Sequence, residues 1–306
     1  MGTWVIPYID QPARFWQRLS ADYGAHIREV YFPMPGGIMG SGRSAQPGSH
    51  LRTFLEQCPL AKSVLLNPVI LQHPLAEIVY VILAALQTLA DEFGVNSVVV
   101  THPHLPAYIK EALPDYRVTA SVLMGIEAPA QVIALQDSVD TIVPASHLCR
   151  DLAALQRLRA AFSGEIRLMV NEACLPHCVY RNQHFYEMGY GAHAPESLCQ
   201  PLLEREPWLR LTGAWILPQH VHYFAGFYDS LKLAGRVTLQ DPVKYMDVLS
   251  AYIEGRRCLP RDIGGGPASV LAPLDMPDSL FEHILHCDKQ CYTCSICRSY
   301  YAEAVH

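Results

Sequence analysis

Short apolar runs alternate along this chain with longer segments of helical periodicity. WVIPYI (4–9) predicts a strand and QPARFWQRLSADYG (11–24) a helix. IREVYFP (27–33) predicts a second strand, and the glycine-rich stretch PGGIMGSGR (35–43) the loop after it. SVLLNP (63–68) is a third strand. Leu75 to Phe93 reads as a long helix that is apolar nearly all round, so it is expected to be well buried. VNSVVVTH (95–102) and HLPAYIKEALP (104–114) form a strand–helix pair. RVTASVLM (117–124) is a fifth strand, and DTIVPAS (140–146) a sixth with DLAALQRLRAAF (151–162) as its helix. EIRLMVNEAC (165–174) is a seventh, and WILPQHV (215–221) and SLKLAGR (230–236) are further candidates.

Apolar strands separated by crossover helices predict a parallel sheet covered on both faces. About eight such units close most simply into a (β/α)8 TIM-like barrel. With nine strand candidates, one is extra or irregular, and a doubly wound open sheet is the runner-up. From about Pro260 the chain turns rich in Gly, Pro and Asp. The expected division is a barrel over 1–260 and a loop arm over 261–306 that carries a cysteine-rich tail.

Composition narrows the function classes. Half of the 306 residues are hydrophobic and 17% are charged, which is a globular balance. A net charge of -6 argues against a broad nucleic-acid-binding face. The start, MGTWVIPYIDQ, lacks a basic region and a sustained apolar core, and Ile6 replaces the hydroxyl residue that myristoylation needs. The longest apolar run, Ile78 to Leu86, is too short to span a bilayer. The expectation is a cytoplasmic protein with no membrane partner. In that reducing compartment its ten cysteines are expected to be ligands or catalytic groups more than disulfides.

Four of these cysteines, Cys287, Cys291, Cys294 and Cys297, crowd into the ending HCDKQCYTCSICRSYYAEAVH. Structural zinc sites usually separate two C-x2-C pairs by a dozen or more residues. The C-x3-C-x2-C-x2-C spacing here is a bacterial ferredoxin run in reverse order. A 4Fe–4S cluster is therefore expected, with zinc as the alternative. A second thiol group lies in MVNEACLPHCVYRNQHF (169–185), where a strand ends. Cys174 and Cys178 open like a radical-SAM motif, but Arg181 stands where its third cysteine belongs. Cys174, Cys178 and Cys199 are candidate ligands of a second cluster, with Cys258 the candidate fourth. His177 and His184 flank the pair as substrate or supporting groups. Cys58 and Cys149 read as buried thiols.

The loop GGIMGSGR offers backbone N–H groups and Arg43 to an anion. It is neither a P-loop nor a dinucleotide-binding turn. Glu29, Asn67 and Glu172 sit in or just after strands, where they are able to face a barrel mouth; structural hydrogen bonding is the ordinary alternative.

Several of these pieces together resemble the collagenase-like U32 peptidase family and its iron–sulfur relatives. VNEACLPHC resembles the family's strand ending in N-x-x-C or G-x-x-C. LKLAGRVTLQDPVKYMDVLSAYI (231–253) resembles its "lKIEGR" strand and following helix, and EVYF and the SGR loop are also in keeping with it. The resemblance runs from about Glu29 to Ile253. It implies a TIM-like barrel with a cysteine-bound cluster at the mouth, and a redox protein acting on a small molecule by hydroxylation, dehydration or a reductive step. The family's usual pattern spaces its first two cysteines more widely than Cys174 and Cys178 stand here, and a terminal cluster is an addition to it. Candidate catalytic residues are Glu29, Arg43, Glu172, His177, His184 and Arg236, the two arginines as anion clamps. A hydrolase is an alternative, though no G-x-S-x-G or H-E-x-x-H element is present and only Cys174 or Cys178 with His184 offers a Cys–His pair. An electron-transfer or assembly subunit paired with a related barrel is another, as is RNA-base modification. The expected partners are a small-molecule substrate and an electron donor.

Overall fold

Eight parallel strands close on themselves: β1 (Trp4–Pro7), β2 (Ile27–Pro33), β3 (Lys62–Leu66), β4 (Ser97–Val100), β5 (Arg117–Ala120), β6 (Thr141–Ile142), β7 (Glu165–Met169) and β8 (Ser230–Lys232), with β8 pairing back to β1. The computed structural model describes residues 2–35, 48–189, 198–236, 238–263 and 274–305. The helices are α1 (Ala13–Tyr23), α2 (Leu51–Gln57), α3 (Leu75–Phe93), α4 (Leu105–Ala112), α5 (Pro129–Leu135), α6 (Leu152–Ala161), α7 (Arg181–Gly189), α8 (Gln200–Arg205), α9 (Pro242–Glu254), α10 (Asp278–His286) and α11 (Ile296–Val305).

The period-two alternation of each strand sends one set of side chains outward and the other into the barrel. Trp4, Val30, Phe32, Val64 and Val98 join the outer core beneath the helices. Val5, Tyr31, Leu65 and Val99 form a separate inner cluster. The barrel is thus packed from both sides, and closure rules out the open doubly wound sheet.

WILPQHV is the extra strand candidate. Ile216 N–H reaches Val170 C=O at 2.6 Å, but Pro218 has no N–H to continue a ladder and opens a 3-10 helix over Pro218–Phe224. The expectation that the apolar helix α3 is well buried holds on one face only. The helix buries the single stripe Val79, Ile82, Leu86 and Leu89, while Tyr80 and Val81 are 79% and 53% exposed. A helix in the outer ring of a barrel meets the sheet along one face only.

Where a loop arm was expected, residues 274–305 hold two helices. α10 follows Pro277, has Asp278 in its first turn where the helix dipole favours it, and buries Leu280, Phe281, Ile284 and Leu285 in the barrel's outer core. α11 has no buried residue; Arg298 lies 5.0 Å over the Trp208 ring and bonds Glu206 at 3.1 Å. Truncation after His286 is therefore expected to leave the barrel folded. Phe281→Ala, by contrast, is expected to cost about 3–5 kcal/mol in urea unfolding.

His220 docks α10. Its ring stacks on Phe281 with centroids 4.0 Å apart, and Nε2 lies 3.1 Å from the Asp278 carboxylate. Burial pushes the imidazole down to about 4; Asp278 opposes this, and Arg150 and Arg257 add to it. The unfolded ring takes its proton near pH 6.5, the folded ring only near 4. Unfolding takes up a proton between those values, so stability falls as pH drops from about 6.5 to about 4. His220→Phe is expected to flatten that acid slope in denaturation measured across pH. Among the described residues no helix is long and apolar enough to cross a membrane.

Candidate functional site

The barrel interior is built in layers. In the lower one, near the strand N-termini, Arg167 Nη1 donates to Glu29 Oε1 at 2.6 Å and Arg167 Nε donates to Ser230 Oγ at 3.2 Å. Ser97 Oγ lies 3.1 Å from Glu29 Oε2 and 3.0 Å from Ser63 Oγ. Glu29 is thus held beneath the inner apolar cluster and does not line the mouth. Its carboxylate is already matched by the Arg167 guanidinium and the Ser97 hydroxyl, as a buried charge requires.

Above that cluster, at the strand C-termini, lies a cavity of about 80 Å³ whose walls include Tyr31, Asn67, Ser146, Glu172, Lys232 and Arg236. Phe185 and Met188 of α7 also line it. Lys232 turns inward from β8, and its Nζ stands 4.4 Å from the centre of the Tyr31 ring. Tyr31 in turn donates its hydroxyl to Leu233 C=O at 2.8 Å. Burial pushes the Lys232 ammonium down to about 7; Arg167 and Arg236 add to this, and Glu29 and Glu172 oppose it. The ends of β7 and β8 are clamped by Asn171, which donates to Ala234 C=O at 2.9 Å and accepts from Ala234 N–H at 2.7 Å.

The chain after β7 brings the first thiol group against this cavity. Cys174 follows Glu172 and lies close to Ser146, both of them cavity walls. Burial and the Glu172 charge push its thiol up to about 11, against the pull of Ser146 and Arg181. Cys178 feels Cys199, so these three thiols share one neighbourhood. His177 is exposed and takes a left-handed φ of 52°, a conformation a non-glycine residue adopts under constraint. Cys258 lies elsewhere, below α9, with its backbone bonded to the Gln219 side chain at 3.1 and 3.2 Å. The charges acting on it most are Arg256, Asp262, Asp247 and Lys244, not another thiol. Cys58 and Cys149 are buried.

All four tail cysteines line a second cavity, of about 30 Å³, with Trp208, Ile284 and Lys289. Lys289 Nζ lies 3.6 Å from Cys287 Sγ. Beside them Arg150 is buried, its guanidinium 4.9 Å from Trp215 and 5.1 Å from Phe281 by ring centroid. Arg150 Nη1 donates to the carbonyls of Leu211 and Gly213, whereas Nε and Nη2 have no hydrogen-bond partner among the described residues. Burial pushes Arg150 down to about 10, and Cys297, Cys287 and Cys291 oppose that shift. A buried guanidinium with two unpartnered nitrogens, acted on by Cys287, Cys291 and Cys297, is a setting for added negative charge. Among the described residues, no three His, Cys, Asp or Glu side chains stand around one point as ligands of a single ion.

A cleft of about 520 Å³ joins the two thiol groups. Pro176, His177, Cys178 and Tyr180 line one side, Cys291, Tyr292 and Thr293 the other.

No protein-family model matches the chain. An uncharacterized protease of Methanocaldococcus jannaschii, MJ1657, is 24% identical over 246 residues, 69% of this chain and 67% of that protein. The solved structure of the U32 peptidase Mk0906 superposes with a TM-score of 0.55 at 14% identity, covering 77% of this chain and 93% of that one. The resemblance to the U32 peptidases stands.

Within this U32-like barrel, Glu172 and Arg236 lie at the mouth as expected from their strand-end positions. His177 faces the neighbouring cleft, and His184 sits on α7 outside the cavity lining. Arg43 and its glycine loop lie outside the described residues. Sequence reasoning missed Lys232 and Arg150. The signal for Lys232 was present: a single charge in the apolar run SLKLA, in step with Ser230 on the inward face.

Proposed function

We propose that this protein is an iron–sulfur redox enzyme acting on a small anionic molecule held in the barrel-mouth cavity. The observation that carries the reading is the tail: four thiols around one cavity, beside a buried arginine with unmatched N–H groups. Thiolate donors suit iron–sulfur clusters, and a positive neighbour offsets the charge that such a group brings. One zinc ion asks for four sulfurs about 2.3 Å from a single point. A four-iron cluster presents separate iron corners, one to each thiolate, and the close C-x3-C-x2-C-x2-C spacing of the tail supports it over the widely separated pairs of a structural zinc site. When bound, the cluster supplies one-electron exchange at a potential set by its surroundings.

The protein's own residues do the rest. Cys287, Cys291, Cys294 and Cys297 would hold the terminal cluster, and Cys174, Cys178 and Cys199 are candidate ligands of a second. Arg150 lies beside the tail thiols as a fixed positive charge. Lys232 and Arg236 attract the anionic substrate, and Phe185 and Met188 limit water at the mouth. Electrons would come from a donor protein or a related barrel subunit.

A peptidase reading draws on the names of the relatives. Its thiol version needs a sulfur activated by a base. Neither His177 nor His184 is among the groups acting most on Cys174, which gives that thiol version no support. The deciding experiment counts iron, sulfide and zinc per chain in anaerobically purified protein. About four irons mean one cluster and about eight mean two. Zinc without iron, or proteolysis by metal-free protein, would overturn the redox reading.

A further inference from the structure

The mouth cavity carries two cations, Lys232 and Arg236, and one carboxylate, Glu172. The other nearby carboxylate, Glu29, is already matched by Arg167 in the layer below. Of the two cations, the Arg236 guanidinium keeps its charge at neutral pH and suits a carboxylate. Its 80 Å³ is room for roughly five to eight waters, the bulk of a short organic acid. The amine of Lys232 is rigidly presented: the residue is 6% exposed, and its Nζ is stacked on Tyr31. The chain's other lysines lie outside the cavity; Lys110 pairs with Asp140 at 2.7 Å and Lys289 bonds Ile284 C=O at 2.6 Å.

We propose that Lys232 condenses with the carbonyl of a short oxo acid whose carboxylate is received by Arg236, forming an imine at the barrel mouth. The proposal rests on the reading that this cavity takes a small anionic molecule; it does not depend on the tail cluster. The Lys232 nitrogen bonds the carbonyl carbon to give a carbinolamine. The carbon–oxygen bond then breaks, and the oxygen leaves as water with the two hydrogens of the amine. No oxidant or reductant is consumed. Burial, with Arg167 and Arg236 nearby, keeps much of the amine neutral and nucleophilic at neutral pH. Arg236 fixes the acid so that its carbonyl meets that nitrogen, because a guanidinium holds a carboxylate in a defined orientation. An imine also makes its carbon skeleton a better electron acceptor, which fits a reductive enzyme.

The test uses full-length, anaerobically purified protein with pyruvate and sodium cyanoborohydride at pH 7, followed by intact mass and peptide mapping. One reduced pyruvate adduct is expected, on Lys232. It should form there faster than on any of the other four lysines, all of which lie outside the cavity. Acetone, which lacks the carboxylate, is expected to label Lys232 at least about tenfold more slowly. Arg236→Gln should bring the pyruvate rate down to the acetone rate. Adducts only on other lysines, or equal labelling by acetone and pyruvate, overturn the proposal. Iron counted in the same sample separates the two readings: trapping without iron keeps the imine and removes the cluster, and iron without trapping does the reverse.

Discussion

Changing both Cys291 and Cys294 to serine is expected to strip the tail of about four irons per chain and of the matching visible absorption. Circular dichroism should change little, and the unfolding midpoint should stay close to that of the parent protein. The reason is where the thiols sit. They line a small cavity between the tail, Trp208 and Ile284, and α11 contributes no fully buried residue to the core. Iron, sulfide and thermal unfolding on the two anaerobic preparations decide the matter. If the double variant keeps its full iron content, the tail thiols hold no cluster. A companion variant, Arg150→Met, should bind iron but with a lowered reduction potential, since a positive charge beside a cluster favours its more negative, reduced form.

A large effect on stability is expected from Arg167→Met. It removes the guanidinium that stands 2.6 Å from the Glu29 carboxylate and leaves that carboxylate buried without a cation. Breaking such a pair costs about 3–5 kcal/mol. Ser97 still reaches Glu29, but one hydroxyl does not replace a guanidinium. Adding Glu29→Gln to Arg167→Met should recover most of the loss, because no uncompensated charge remains. Urea unfolding of the two single variants and the double measures the coupling. A loss below about 1 kcal/mol for Arg167→Met, the range of exposed pairs, would mean that the pair is not a buried one. The same change should raise the pKa of Lys232, because Arg167 is one of the cations that push it down.

Some of the site was legible from position along a strand. Glu172 and Arg236 come just after β7 and β8, so they reach the mouth. Glu29 is the third residue of β2, near the opposite end, and its neighbours from β4 and β7 hold it in the lower layer. Nothing in the residues around Cys258 separates it from Cys174, Cys178 and Cys199; the path of α9 carries it away from them.

By itself, the sequence determined the (β/α)8 rhythm, through short apolar runs of period two set between helical ones, and it determined the crowding of thiols at the tail. These are local properties: periodicity and spacing need no knowledge of what packs against them. Only the tertiary structure decided which polar residues share a site. Barrel closure brings Lys232 of β8 beside Tyr31 of β2, about two hundred residues away in the chain, and sets Arg167 under it. Arg150 becomes a buried cation only because Trp215 and Phe281 fold over it and the tail thiols arrive alongside. Burial and charge pairing depend on what the fold brings near, so the chemistry of Lys232 and Arg150 is a property of the closed barrel and not of any segment of the chain.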